Sequence, residues 1–209
     1  MARYIEARCK LCRRERMKLF LKGHKCNTEK CPLTTRPFAP GMHGKRQTKQ
    51  SYYALQLREK QKVKRIYGML ERQFKVFFMS ASKARGVTGR KLIQLLERRL
   101  DNVIFRSLFA LSRSESRQLV RHGFVFIKKR RVDIPSYIVK ENDDIILKGK
   151  DSLIKKIKEN IQINSKERSI PAWLEVDNST LAVKIVRLPE KEDITIPVNE
   201  QLIVELYSK

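Results

Sequence analysis

Residues 112–127 read SRSESRQLVRHGFVFI. Ser112 followed three residues later by Glu115 is the pattern of a reciprocal helix N-cap, in which each side chain accepts a hydrogen bond from backbone N–H groups near the helix start. The helix is predicted to run to His122 and to stop at Gly123, a residue that takes the left-handed turn after a helix without steric cost. Arg113, Arg117 and Arg121 are spaced four apart and so fall on one helical face. Beyond Gly123 the period changes. The apolar run Phe124–Ile127 is followed by four cations, Lys128 to Arg131, and then by short strand signals at 132–134, 137–139 and 145–147. A further helix is predicted around 152–160, with late strand signals at 181–187 and 202–207.

Upstream, the pattern is helical. Val63, Ile66, Tyr67, Leu70, Phe74 and Phe77 recur at helical spacing, with Gly68 splitting the stretch, and a third pattern carries Leu92, Leu95, Leu96, Leu100, Val103 and Ile104 after Thr88-Gly89. Residues 1–50 lack periodicity and contain Pro32, Pro37, Pro40, Gly41 and Gly44, which break regular structure. The predicted class is α+β: a mainly helical part with an N-terminal staple, plus a small helix-and-strand module.

The 209 residues carry a formal net charge of +25. The excess is uneven: residues 1–100 hold 27 Lys and Arg against 6 Asp and Glu, whereas 151–209 hold 9 against 10. Solubility does not require that imbalance, so it implies a polyanionic partner. The apolar runs are only a few residues long, which excludes a membrane-spanning helix, and the N-terminus is charged from Arg3 onward with no secretory pattern. The chain is therefore read as intracellular: cytoplasmic, with an organelle as the alternative.

All four cysteines, Cys9, Cys12, Cys26 and Cys31, lie within 23 residues. A CxxC pair and a second pair four residues apart can present four soft sulfur ligands to one tetrahedral ion, so Zn²⁺ is the expected cofactor. An iron–sulfur cluster uses the same ligand number, and His24 or His43 could replace a cysteine. Such a metal would fold a segment with too little core of its own. Lys10, Arg13, Arg14 and Lys25 are expected to lower the thiol pKa values.

Phosphates are bound by Arg and Lys, and neighbouring aromatics stack on unpaired bases. Segment 36–67 has that mixture: Arg36, Phe38, His43, Lys45, Arg46, Lys49, Tyr52, Tyr53, Arg58 and Lys62. The expected RNA-binding set adds Arg3, Arg13, Arg14, Arg99, Arg106, Arg113, Arg117, Arg121, Lys128, Lys129 and Arg130. Any one of these taken alone is more simply a solvated charge. No Walker loop, HExxH or nucleophile elbow occurs, and Asp143-Asp144 reads as a solvated turn rather than an acid/base pair. The chain is therefore read as a non-enzymatic RNA binder, against two alternatives: an RNA-modifying enzyme and a zinc-dependent DNA-binding regulator.

Seven segments then fall into a known order: MARYIEARCKLCRRERMKLFLKG (1–23), APGMHGKR (39–46), QLREKQKVKRIYG (56–68), RLDNVIFR (99–106), SRSESRQLVRHG (112–123), VDIPSY (132–137) and ELYSK (205–209). Together they resemble the bacterial-type small-subunit ribosomal protein number four. The resemblance implies a discontinuous helical domain, 51–98 plus 175–209, behind the N-terminal region 1–50, with an RNA-binding module inserted at 99–165. It implies direct binding of small-subunit ribosomal RNA, nucleation of the subunit body, contact with a neighbouring protein involved in decoding accuracy, a place along the path of incoming messenger, and repression of its own messenger. The four cysteines match the zinc-binding form of that family. One departure is visible: where such chains have a Val-Asn-Gly turn, this one reads Ile127-Lys128-Lys129, and lysines do not adopt the left-handed backbone of a tight hairpin cheaply.

Overall fold

The computed structural model describes residues 4–46, 49–190, 192–194 and 196–208. The chain forms two compact units: residues 1–93 with 196–209, and residues 94–195.

The first unit is helical. Helix α1 spans Arg8–Glu15, a short 3-10 turn spans Gly23–Cys26, and α2 spans Pro32–Thr35. Helix α3, Tyr52–Ile66, starts where Ser51 Oγ accepts from the Ala54 N–H at 3.2 Å. It stops before Gly68, whose φ of +61° turns the chain into α4, Glu71–Lys83. The predicted split at Gly68 is therefore observed. Helix α5, Thr88–Glu97, follows, and the boundary between the units falls within it. The chain returns to this unit as α9, Glu200–Tyr207, capped by Asn199 Oδ1, which accepts from Gln201 N–H. Tyr207 stacks on Phe78, with ring centroids 4.2 Å apart, and lies 6.3 Å from Phe74. Val63, Ile66, Phe74, Phe78, Ala81 and Ile203 are buried between these helices.

The second unit packs helices α6 (Leu100–Arg106), α7 (Arg113–Arg121) and α8 (Asp151–Ser165) with a five-stranded antiparallel sheet. Its strands are β1 Val125–Ile127, β2 Arg130–Arg131, β3 Asp144–Leu147, β4 Leu174–Asp177 and β5 Ala182–Ile185, in the order β2-β1-β3-β5-β4. The core joins Leu100, Val103, Ile104, Phe109, Val120, Val125, Val139, Ile145, Trp173 and Ile185. Ser112 caps α7 as predicted, accepting from Glu115 N–H at 3.3 Å, while Glu115 reaches back to Leu111 N–H at 2.8 Å. Gly123 has a φ of +75°, and a Cβ there would sit 2.0 Å from the Arg131 guanidinium. The left-handed turn is what favours glycine here, since the Arg131 side chain could swing aside from a Cβ.

Three expectations change. Segment 202–207 is helical, not a strand: buried Ile203 and half-buried Tyr207 fall four apart on one face, and Asn199 supplies the cap. The signals at 132–134 and 137–139 do not form strands. Instead the carbonyls of Pro135 and Tyr137 accept from Asp101 and Leu100 N–H, satisfying amides at the start of α6 that have no partner within the helix. Strand β4 was not expected. With β5 it extends the sheet, so the chain returns to the first unit at residue 196, whereas the resemblance placed the helical return at 175.

Candidate nucleic-acid interface and cysteine cluster

Cys9 and Cys12 are presented by α1, Cys26 ends the 3-10 turn, and Cys31 precedes α2. All four are free thiols; Cys12, Cys26 and Cys31 are buried. The Lys22 N–H donates to Cys26 Sγ at 3.4 Å, and the backbone of Leu21 also bonds Cys26, as that of Leu19 bonds Cys12. Burial pushes the Cys12 and Cys26 thiols up, and the other cysteines push the same way. This corrects the expectation that Lys10, Arg13, Arg14 and Lys25 would lower them: desolvation outweighs cations that are exposed or engaged elsewhere. Among the described residues, no group of three or more His, Cys, Asp or Glu side chains stands at coordinating geometry.

The cations expected to bind RNA fall into three groups. The exposed group comprises Arg14, Arg36, His43, Lys45, Arg46 and Lys49 in the first unit and Arg121, Lys128, Lys129 and Arg130 in the second, with Tyr52 and Tyr53 also exposed at 57% and 55%. Arg3 lies outside the described residues.

The second group is structural as well as cationic. Arg13 donates through Nε to Phe38 O at 3.0 Å and lies over the Phe38 ring, whose centroid also has Lys45 Nζ at 5.5 Å. This folds the loop after α2 onto α1, and Gly44 completes the loop because a Cβ would strike Ala39 O at 1.9 Å. Tyr52 Oη donates to Glu205, as does Gln56 Nε2 at 3.0 Å, joining α3 to α9. Lys62 is paired with Glu59. Arg58 Nη1 meets Glu15 Oε1 at 3.2 Å, and Arg65 Nη1 bonds the same oxygen, on a carboxylate only 1% exposed. Burial raises the Glu15 carboxyl against the pull of Arg58 and Arg65, and lowers the Arg65 guanidinium against the pull of Glu15.

The third group lies in the second unit and is largely sequestered. Arg99 is fully buried, with Nε and Nη2 on the two oxygens of Asp101 at 3.0 and 2.7 Å. That burial denies it the surface contact expected of it. Arg106 makes the same fork to Glu97, at 3.0 and 2.7 Å. Arg113 donates to Asn102 Oδ1 at 2.8 Å and lies 4.3 Å from the Phe105 ring centroid, while Arg117 approaches Asp101 at 3.6 Å. Of the arginine face on α7, Arg121 alone is exposed; Arg113 and Arg117 brace α7 against α6.

The hairpin tip adopts the tight form despite its lysines. Ile127 pairs with Arg130, and Lys128 and Lys129 both take positive φ, +47° and +70°. Lys128 Nζ reaches Asp143 Oδ1 at 2.8 Å, and its backbone N–H bonds Asp144 O. Toward the base of the hairpin the structure adds cations absent from the expected set: Arg131, bonded to His122 O, and Lys148, over the Phe126 ring. Arg131 belongs to the run already visible in the sequence. Lys148 carried no such signal, being brought there by the pairing of β3 with β1.

Comparison with known proteins follows this division. Residues 3–97 match the model "Ribosomal protein S4/S9 N-terminal domain" and residues 98–145 match "S4 domain". The chain is similar over its full length, and over the full length of each relative, to small ribosomal subunit protein uS4 of Thermodesulfovibrio yellowstonii (55% identical), of Dictyoglomus turgidum (55%) and of Solidesulfovibrio magneticus (53%). With family models matching residues 3–145 and relatives this close along the whole chain, the protein belongs to the small ribosomal subunit protein uS4 family.

Proposed function

We propose that this chain is a structural, non-enzymatic constituent of the small ribosomal subunit that binds its RNA directly. The supporting observation is the exposed cationic surface of the hairpin and the adjoining helix end: Arg121, Lys128, Lys129, Arg130, Arg131 and Lys148 surround a strand pair in the matched S4 domain. Each phosphate neutralised releases condensed counterions, so binding weakens steeply with salt. The test is binding to small-subunit ribosomal RNA against random RNA of equal length across salt. Tighter binding to the ribosomal RNA is expected, and equal affinity at every salt concentration would refute the reading. Finer roles belong to the same proposal: nucleating the subunit body, supporting decoding accuracy beside a neighbouring protein, lying along the messenger path, and repressing its own messenger.

Cys9, Cys12, Cys26 and Cys31 would hold a structural Zn²⁺. The spacing, the burial of three thiols and the N–H groups directed at Cys12 and Cys26 support this. When bound, the ion would replace the missing hydrophobic core of the N-terminal segment. Zinc binds cysteine as thiolate, so loading would release protons and fall with acidity. Zinc quantified after native purification should approach one per chain; a metal-free protein with an ordered N-terminal segment would refute the assignment.

A further inference from the structure

We infer that Glu15 is a positioning residue for RNA: its buried carboxylate holds Arg58 and Arg65 as a fixed, phosphate-binding guanidinium pair. The inference rests on the RNA-binding reading above. Glu15 is the last residue of α1, and its side chain is 1% exposed although nearly everything around it is cationic. Arg58 and Arg65 lie seven apart on α3, two helical turns, and both reach the same Glu15 oxygen through Nη1. Their side chains keep 28% and 20% of their surface, and Arg14 lies exposed beside Glu15 in sequence.

One buried carboxylate facing two guanidiniums leaves the group net positive. A guanidinium carries five N–H donors in a rigid fork. The bond to Glu15 uses one nitrogen of each, so the outer edges are oriented rather than consumed. A long side chain loses rotamer freedom when it binds a phosphate, and one already pinned by an internal anion has lost most of it before the RNA arrives. If Glu15 served only to tie α1 to α3, its removal would lower stability and leave the binding of folded protein untouched.

Glu15→Gln separates these roles, because it keeps the shape and raises the net charge by one. Simple electrostatics then predicts equal or tighter RNA binding. Positioning predicts the opposite: affinity for a small-subunit ribosomal RNA fragment falls about 10-fold, and the slope of log affinity against log salt becomes shallower by up to ~2 as two phosphate contacts loosen. Circular dichroism and urea titration establish the folded fraction. Equal or tighter binding with an unchanged slope in folded Glu15→Gln would overturn the inference. If that variant does not fold, Glu15→Asp decides the matter, since it keeps the net charge and both guanidiniums but shortens the carboxylate that holds them. Weaker binding by folded Glu15→Asp supports positioning, and unchanged affinity overturns it. A wild-type protein that does not prefer ribosomal RNA would instead sink the function reading, which the random-RNA control detects separately.

Discussion

Replacing Lys129 with glycine should stabilise the protein, and replacing Lys128 should not, although both residues carry the same backbone strain. The two form a two-residue hairpin loop with φ of +70° and +47°, the turn for which Asn-Gly is the favoured sequence. A side chain in the left-handed region costs about 1–2 kcal/mol. Glycine removes that cost but adds about 0.5–1 kcal/mol of unfolded-state entropy. For Lys129→Gly the balance is a gain of about 0.5–1 kcal/mol, or roughly 2–6 °C in the melting of a unit of this size. Lys128→Gly gains the same relief but deletes the ammonium 2.8 Å from Asp143, a carboxylate 3% exposed. Asp143 would keep its bond from Lys140 N–H and the charge of Arg98, but lose the cation in direct contact with it. Stability at or below wild type is therefore expected, since a buried charge deprived of its contacting cation is costly. Urea denaturation followed by circular dichroism at neutral pH measures both variants. The reasoning fails if Lys129→Gly is no more stable than wild type, or if the two glycine variants are stabilised equally.

Three further outcomes follow from the geometry. Asp101→Asn leaves the fully buried Arg99 without its carboxylate, so a loss of about 3–5 kcal/mol is expected in urea unfolding; a loss under ~1 kcal/mol would show the pair to be dispensable. Arg113→Ala and Arg117→Ala should each lower stability as well as RNA affinity, because both side chains brace α7, while Arg121→Ala should lower affinity alone; identical stability in all three would contradict this placement. Burial pushes the Glu71 carboxyl up, but hydrogen bonds and charge from Lys60 and Lys64 outweigh it and hold the group at about 2, below its ordinary 4.5. A depressed carboxyl contributes stability that is fully present above the ordinary value and lost as pH falls toward 2. The stability difference between wild type and Glu71→Gln should therefore shrink from pH 5 to pH 2, by less than ~1 kcal/mol because the side chain is about half exposed; a constant difference would refute the assignment.

What was legible in the sequence was local. The Ser112–Glu115 cap, the stop at Gly123 and the break at Gly68 each depend on residues within a few positions of one another. The cysteine cluster was legible for the same reason: all four lie within 23 residues. Segment 202–207 was misread because six residues of mostly apolar chain fit either period, and only the docking of Ile203 and Tyr207 chooses between them. The charge pairs were illegible because some are long-range and the local ones look like any other neighbouring charges. Arg65 finds Glu15 across 50 positions of sequence, and nothing local marks Arg99, among so many cations, as the one that would be fully buried.

The acidic residues then acquire a meaning that the net charge conceals. In a chain of +25, carboxylates could be scattered over the surface to moderate self-repulsion. Among the described residues, several are instead nearly inaccessible, including Glu15 and Glu97 at 1%, Asp143 at 3% and Asp101 at 5%. Each meets at least one cation: Arg58 and Arg65, Arg106, Lys128, and Arg99 with Arg117. Burying a carboxylate costs several kcal/mol, and a hydrophobic residue of similar size would often be at least as stable in its place. Stability alone therefore does not account for the arrangement. What a buried anion provides is direction: it fixes where a long, otherwise mobile cation sits. For Arg99 the result is purely internal. For Arg58, Arg65 and Lys128, which keep part of their surface, an internal anion converts diffuse charge into placed charge, and folded RNA, with its phosphates at fixed positions, distinguishes the two.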